Sequence, residues 1–245
     1  MMQRQEALQR NYNILDMLLS INPHSFEERF KSAERSVETM LEPPIAVRLD
    51  GVGFGKALAG FKWPRDYRVH LALLDAASAL LERMNGRMAY IGSDEINIIV
   101  MDELPYSGRL EKIVSISAGL ASSIVSLKLS RNLFFDSRVV PLRDERDALE
   151  YLLYRARIVF NNYVNSLLKA HGFRVESLDG HLIDRIRLAR SAGLDPLREP
   201  WAALGSCIYR VTTRRHIEPI GIAVERRRVI EVDGPCLPDI VLKGY

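Results

Sequence analysis

The sequence predicts a mixed α/β (α+β) fold built around a ferredoxin-like βαββαβ antiparallel sheet, and three observations carry that prediction. Short apolar, β-branched runs alternate with longer helix-period stretches in the order β-α-β-β-α-β between residues 43 and 142. Proline, glycine and asparagine punctuate the joints between them. The composition is that of an ordinary globular chain: 245 residues, 47% hydrophobic and 27% charged, with no low-complexity tract and no internal repeat. A chain of this length buries a sizeable core, as one large domain or as a core with an appendage.

Taken in order, residues 1 to about 42 read as an N-terminal helical extension. Ile14, Leu15, Leu18 and Leu19 share one helical face, Asn22-Pro23 breaks it, and a second helix is expected from Ser25 toward Met40. Pro43-Pro44 forces extended backbone, and Ile45–Leu49 reads as the first strand. Trp63-Pro64 opens a long helix with Val69, Leu73, Leu74, Leu80 and Leu81 on its apolar side; Asn85-Gly86 stops it. Strands near 87–92 and 95–101 follow, joined at Gly92-Ser93-Asp94. Pro105–Gly108 is a loop, and a helix over 109–128 carries Ile113, Ile116, Leu120, Ile124 and Leu127. Phe134–Leu142 supplies the fourth strand and closes the 43–142 core. Residues 143–245 form a C-terminal extension: helices near 144–170 and 181–191, then strand-like segments near 206–213 and 219–233.

The split order has a geometric consequence. Strands one and two run parallel with strand three antiparallel between them, so the end of strand one and the turn joining strands two and three meet at one sheet edge. Asp50 and the Asp94-Glu95 pair, far apart in sequence, converge there. Hard carboxylate oxygens suit magnesium, which takes one or two protein carboxylates and completes its shell with water and phosphate. Two such carboxylates suit in-line phosphoryl displacement. The glycine-rich turn Gly51-Val52-Gly53-Phe54-Gly55 lets a triphosphate approach the backbone; Ser93 offers a hydroxyl, and Lys56 or Lys62 a cation. Taken singly, Asp50-Gly51 and Ser93-Asp94-Glu95 are ordinary turn chemistry. Their convergence is what favours a metal site, with Glu95 either a third ligand or a supporting group.

Bulk charge says little, with 34 basic against 31 acidic residues and a net charge of +3. Local clusters (Arg185, Arg187 and Arg190; Arg214-Arg215-His216; Arg226-Arg227-Arg228) are solvated faces or a polyanion-binding surface. Cys207 and Cys236 have no metal-type spacing, and nothing resembles a disulfide framework. The N-terminus is polar and no run reads as long and apolar enough to span a bilayer, so a cytoplasmic protein is expected. Scarce glutamine and abundant arginine fit a thermophilic source.

At these residues the chain resembles the tRNA-His guanylyltransferase family and its relatives, the 3′-to-5′ nucleotide polymerases. The resemblance rests on Val47-Arg48-Leu49-Asp50-Gly51 with Phe54, Phe61-Lys62-Trp63-Pro64-Arg65-Asp66, Ser93-Asp94-Glu95 and Phe135-Asp136-Ser137-Arg138-Val139-Val140. It continues in Tyr154-Arg155, Asn161-Asn162 and Gly193–Pro200, so that it spans roughly residues 25–212. It implies a polymerase-palm core, two magnesium ions, ATP and GTP as substrates, tRNA as partner, and a homo-oligomer, dimer or tetramer. Asp50 and Asp94 become the metal-bridging carboxylates and Gly51 a carbonyl ligand. Gly51–Phe54 line the triphosphate, and Ser93 and Asp66 lie near nucleotide. Three positions depart: Gly55 and Phe160 stand where the family has histidines, and Trp63 where it has a lysine, with Lys62 beside it. The histidine at the Phe160 position belongs to the form reading tRNA-His, so templated 5′-end repair is as well supported as untemplated G addition.

Several residues remain open. Arg155 and Arg157, two apart, share no helix face and are surface arginines or phosphate contacts. Asn161-Asn162 is a hydrogen-bonding pair on the helix or an RNA contact, Trp63 a staple at the helix start or a base-stacking platform. Asp136 is a strand-end hydrogen-bonding group or the family's aspartate. No histidine has triad or ligand spacing. Two rivals stand beside the polymerase: a palm-type nucleotidyl cyclase needing the same aspartates, and a non-catalytic tRNA-binding protein.

Overall fold

The computed structural model describes residues 39–174, 180–217 and 222–236. The helices expected within residues 1–42 lie outside the described residues, apart from an extended stretch at Met40 that bridges to Arg109. Strand β1 (Ile45–Gly51) leads through a single helical turn, α1 (Phe54–Ala57), to helix α2 (Tyr67–Arg83). Strands β2 (Met88–Gly92) and β3 (Glu95–Val100), helix α3 (Leu110–Leu129) and strand β4 (Phe135–Pro141) complete the βαββαβ order. Helices α4 (Glu145–Ala170), α5 (Leu182–Ser191) and α6 (Pro200–Leu204) precede a hairpin of β5 (Ser206–Ile217) and β6 (Ile222–Asp233).

The six strands form one sheet in the order β4-β1-β3-β2-β5-β6. Every neighbouring pair is antiparallel, so β1 and β2 run parallel with β3 between them. The sheet continues across the boundary expected near residue 142, because β5 pairs with β2 over Ser206–Tyr209. Helices cover both faces. On one, Ile45, Val47, Leu49, Ile96, Ile98 and Val100 pack with α2 and α3 residues such as Leu73, Leu80, Ile113 and Val125. On the other, Ala46, Met88, Tyr90 and Ile99 meet Leu149, Leu152, Ala156 and Val159 of α4. Burial on both sides explains why the strands read as near-continuous apolar runs.

Strand alternation decides which side each polar residue faces. Glu95 and Asn97, in step with Ile99, lie on the α4 side, and their register partners there are Asp50 and Arg48. A polar stripe therefore runs beneath α4 toward the sheet edge.

Four sequence expectations are corrected. Helix α2 begins at Tyr67, not Trp63-Pro64, because the Asp66 carboxylate caps it, accepting from the Arg68 amide at 2.9 Å. Trp63 is no staple: it is 59% exposed, and Trp201 packs at the helix start instead, edge-on to Tyr67 at 5.1 Å. Cys207 and Cys236 form a disulfide, which the separation of 29 residues did not suggest. Finally, α3, with 20 residues, is long and apolar enough to cross a membrane by length and composition. Here it is a layer helix, burying Ile113, Ser117, Ala121 and Val125 while Glu111, Lys112 and Lys128 stay exposed.

Candidate functional site

Register builds the site. Asp50, near the end of β1, lies opposite Glu95 of β3 on one side and Asp136 of β4 on the other. Asp94 sits in the β2–β3 turn, where Ser93 adopts a left-handed φ of 63°. The Gly51 amide donates to the Asp94 carbonyl at 3.1 Å, tying the end of β1 to that turn. Asp50 and Asp94-Glu95 are thus gathered at one edge, as the topology predicted. Four carboxylates share it, and their repulsion is legible in Asp50: burial first, then Asp94, then Glu95 and Asp136, push its carboxyl above the ordinary aspartate value, against the pull of Arg48.

The four differ in how they are held. Glu95 is 4% exposed and saturated. Arg48 Nε donates to its Oε2 at 2.8 Å, Asn97 Nδ2 to Oε1 at 2.7 Å and Arg155 Nε to Oε1 at 2.8 Å, while Arg155 Nη2 also pairs with Oε2. Tyr151 donates to Asn97 Oδ1 at 2.7 Å, closing the network on α4. Arg155 is therefore an interior partner of Glu95, not a surface arginine; Arg157 is the exposed one. Asp50 is bound more loosely, to Arg48 Nη2 at 3.0 Å, and its side chain is 35% exposed. Asp94 accepts from Ser93 Oγ at 2.8 Å. Asp136 pairs with Arg138 through Oδ2, and its buried Oδ1 has no hydrogen-bond partner.

The glycine-rich turn presents its backbone beside this edge. Val52, Gly53, Gly55 and Lys56 are exposed, whereas the Phe54 ring is buried, edge-on to Phe135 with centroids 5.0 Å apart. Gly51 is required by that packing: a Cβ there would lie 2.6 Å from the Phe54 ring. Gly53 caps α1 with a left-handed φ of 66°. Next to the turn opens a cleft of about 180 Å³, lined among others by Lys62, Arg65, Asp66, Ser93, Asp94 and Trp201.

Not every expected residue reaches the cleft with a free group. Asp66 is taken up as helix cap and partner of Arg68, whose guanidinium holds its carboxyl well below the usual range, helped by the Lys62 amide. The Lys62 ammonium is exposed and lies 3.7 Å from Glu199. Asn161 accepts from Arg185 at 2.9 Å, a contact between α4 and α5; Asn162 is exposed. Arg48, Arg65 and Trp201, given no role by the sequence, belong to the site's surroundings, as does Asp136, which it left open between a strand-end group and the family's aspartate. Among the described residues no group of three or more His, Cys, Asp or Glu side chains is arranged to hold a metal.

A family model described as "Thg1: tRNAHis guanylyltransferase" matches residues 27–159, more than half of the chain. The chain belongs to the tRNA-His guanylyltransferase family. It is accordingly a guanylyltransferase-like nucleotidyltransferase. Among curated proteins, none matches. Of solved structures, a bacterial tRNA(His) guanylyltransferase (Thg1)-like protein in complex with ATP is 22% identical with a TM-score of 0.66, over 77% of this chain and 88% of that one. A bacterial Thg1-like protein in complex with GTP is 22% identical with a TM-score of 0.63, over 84% and 90%. The tRNA(His) guanylyltransferase of Saccharomyces cerevisiae is 19% identical with a TM-score of 0.60, over 71% and 89%. The family's palm-like α+β fold is thus the fold of this chain.

Proposed function

We propose that the protein adds nucleotides to the 5′ end of tRNA in the 3′-to-5′ direction. One observation carries the reading: strand register brings Asp50 and Asp94 to a single edge, beside a glycine-rich turn and a cleft, in a chain of this family. In the first step an oxygen of the tRNA 5′-phosphate attacks the α-phosphorus of ATP, and pyrophosphate leaves. In the second, the 3′-hydroxyl of GTP attacks the activated 5′-phosphorus, losing its proton as AMP departs.

The donor set fits magnesium. Asp50 and Asp94 offer hard oxygens and Gly51 a carbonyl; the Asp50 carboxyl is raised first by burial and then by the charge of Asp94, and a cation beside it favours its charged form. Two carboxylates without a third leave coordination positions for water and phosphate. When bound, two magnesium ions supply charge stabilisation for in-line displacement. The chain's own residues do the rest. Ser93 orients the Asp94 carboxylate, Arg48 holds Asp50 from the side, and the Glu95–Arg155–Asn97 network fixes Arg48. In this reading Glu95 is a positioning residue and not a ligand. The exposed backbone of Val52, Gly53 and Gly55 lies open to the triphosphate, with Lys56 alongside.

The choice of tRNA leans toward templated repair. Phe160, at the position of the histidine in the family form that reads tRNA-His, packs among Val164, Leu168 and Tyr163 as an apolar residue. The reading places the protein in the cytoplasm as a homo-oligomer. To test it, purified protein, magnesium, ATP and GTP are incubated with a labelled, 5′-truncated tRNA beside Asp50→Ala and Asp94→Ala. Extension that is lost in both variants supports transfer. Tight tRNA binding without extension, unaffected by either substitution, replaces it with a binding protein, and a cyclic nucleotide product replaces it with a cyclase.

A further inference from the structure

Two clefts meet at one arginine. The first is the 180 Å³ cleft beside Ser93 and Asp94. The second, about 690 Å³, is lined on its far side by Tyr163, His171, Asp195 and Arg198. Lys62, Trp63, Pro64 and Arg65 line both. Within this shared wall the two cations are in opposite situations. Lys62 is 64% exposed and faces Glu199. Arg65 is half-buried and makes no ion pair with any described residue; its one hydrogen bond runs from Nη1 to the neighbouring Pro64 carbonyl at 3.0 Å. Its Nε is buried with no hydrogen-bond partner. Of the other arginines nearby, Arg68 is committed to Asp66, and Arg48 and Arg155 to Glu95, while Arg198 on the second cleft is solvent-exposed.

A guanidinium is a planar fork of five donors, matched to carboxylate or phosphate oxygens. Leaving most of it unused while partly desolvated is costly unless an anion arrives from outside. No carboxylate of the described residues does so, and Asp94 acts on it only through space. Burial lowers the affinity of Arg65 for its proton, Asp94 partly restores it, and an arginine stays charged at neutral pH regardless.

We propose that Arg65 is the phosphate-binding residue at the junction of the two clefts, holding a phosphate group of a substrate while Asp94 lies on the other side of it. The inference rests on the nucleotidyl-transfer reading for the origin of that phosphate. It assigns the role to Arg65 and not to Lys62, one of the two lysines, with Lys56, that the sequence offered as a compensating cation. Two sources share this chemistry: the triphosphate of a nucleotide in the first cleft, or the 5′-phosphate of an RNA end reaching through the second.

The test uses the full-length protein with magnesium, and Arg65→Gln and Arg65→Lys beside it. Calorimetric titrations measure binding of inorganic tripolyphosphate, GTP and guanosine, and of one tRNA transcript with a 5′-phosphate or a 5′-hydroxyl. Losing charge-assisted hydrogen bonds predicts roughly ten- to hundredfold weaker binding of the phosphate-bearing ligand in Arg65→Gln, an intermediate value in Arg65→Lys, and unchanged guanosine binding. A loss confined to tripolyphosphate and GTP identifies the nucleotide as the source; one confined to the 5′-phosphorylated transcript identifies the RNA end. Thermal melting separates a merely structural role, because removing an unpaired charge leaves the melting temperature level or raised. Arg65→Gln binding tripolyphosphate and distinguishing the two transcripts as the wild type does would overturn the proposal, as would a lowered melting temperature with every phosphate affinity intact. A wild-type protein that extends no tRNA while Arg65→Gln still loses phosphate binding sinks the transfer reading and leaves this site standing.

Discussion

Replacing Glu95 with glutamine separates a structural carboxylate from a metal ligand. In the native chain the carboxylate takes four donors from three side chains and is 4% exposed. The substitution keeps the shape, removes the charge, and leaves the interior Arg155 guanidinium without a counter-ion. Breaking one partner of a buried pair costs about 3–5 kcal/mol, a large part of the 5–15 kcal/mol that holds an ordinary domain together. For a chain of this size that lowers the melting temperature by roughly 6–20 °C. The assay is thermal melting of wild type, Glu95→Gln and the double variant Glu95→Gln/Arg155→Met, each with EDTA and with magnesium. The double variant recovers part of the loss, because the orphaned charge is gone. The stabilisation by magnesium persists in all three, since Asp50 and Asp94 are untouched. A Glu95→Gln protein that melts like the wild type but no longer responds to magnesium would refute the reasoning and make Glu95 a ligand.

Three further outcomes follow from particular residues. The folded Asp50 carboxyl titrates above its unfolded value of 3.8, so the metal-free protein loses stability as pH rises from there through the folded value. Asp50→Asn melts higher than wild type in EDTA at pH 7, with no difference below pH 4, and is inactive in nucleotide addition. His70, buried between Tyr67 and Trp201 with Nε2 2.9 Å from Ser206 Oγ, is pushed by burial from 6.5 down to about 4. Its stabilisation is full above pH 6.5 and is lost as pH falls toward 4, to the extent of about 3 kcal/mol. Urea midpoints at pH 7 and pH 4 show a shallower acid decline in His70→Gln. The Cys207–Cys236 bond closes a loop of moderate length, so Cys236→Ser costs about 2–4 kcal/mol. Thiol titration of the denatured, unreduced wild type finds no free thiol.

The strands and long helices were legible because their signals are local. Ile45–Leu49 and Ile96–Val100 are apolar runs of strand length, and α4 carries a helical period from Leu149 to Leu168. The meeting of Asp50 with Asp94 was legible too, because the order βαββαβ admits few topologies. What the sequence hid depends on pairs distant along the chain. Arg155 finds Glu95 across 60 residues: the helical period sets it, unlike Arg157, on the buried stripe with Leu152 and Val159, but no period names its partner. The sequence offered Trp63 alone to cover the start of α2, and it is the packing of α6, far along the chain, that puts Trp201 there instead. The turns α1 and α6 are too short for periodicity to speak. Cys207 and Cys236 come together because β5 and β6 pair, bringing Cys207 opposite Val232.

The place of β5 in the sheet also sets a timetable. Strand β2 is interior, yet its outer neighbour lies more than a hundred residues downstream, with Met88 opposite Tyr209 and Tyr90 donating to the Leu204 carbonyl. On a ribosome adding 5–20 residues per second, roughly 6–24 s separate the emergence of the two strands. For that interval the nascent chain carries an unpaired, wholly apolar edge, Met88-Ala89-Tyr90-Ile91, of the kind that recruits other chains. The molecule's exposure to aggregation is therefore concentrated in its synthesis, and ends when residues 206–209 arrive.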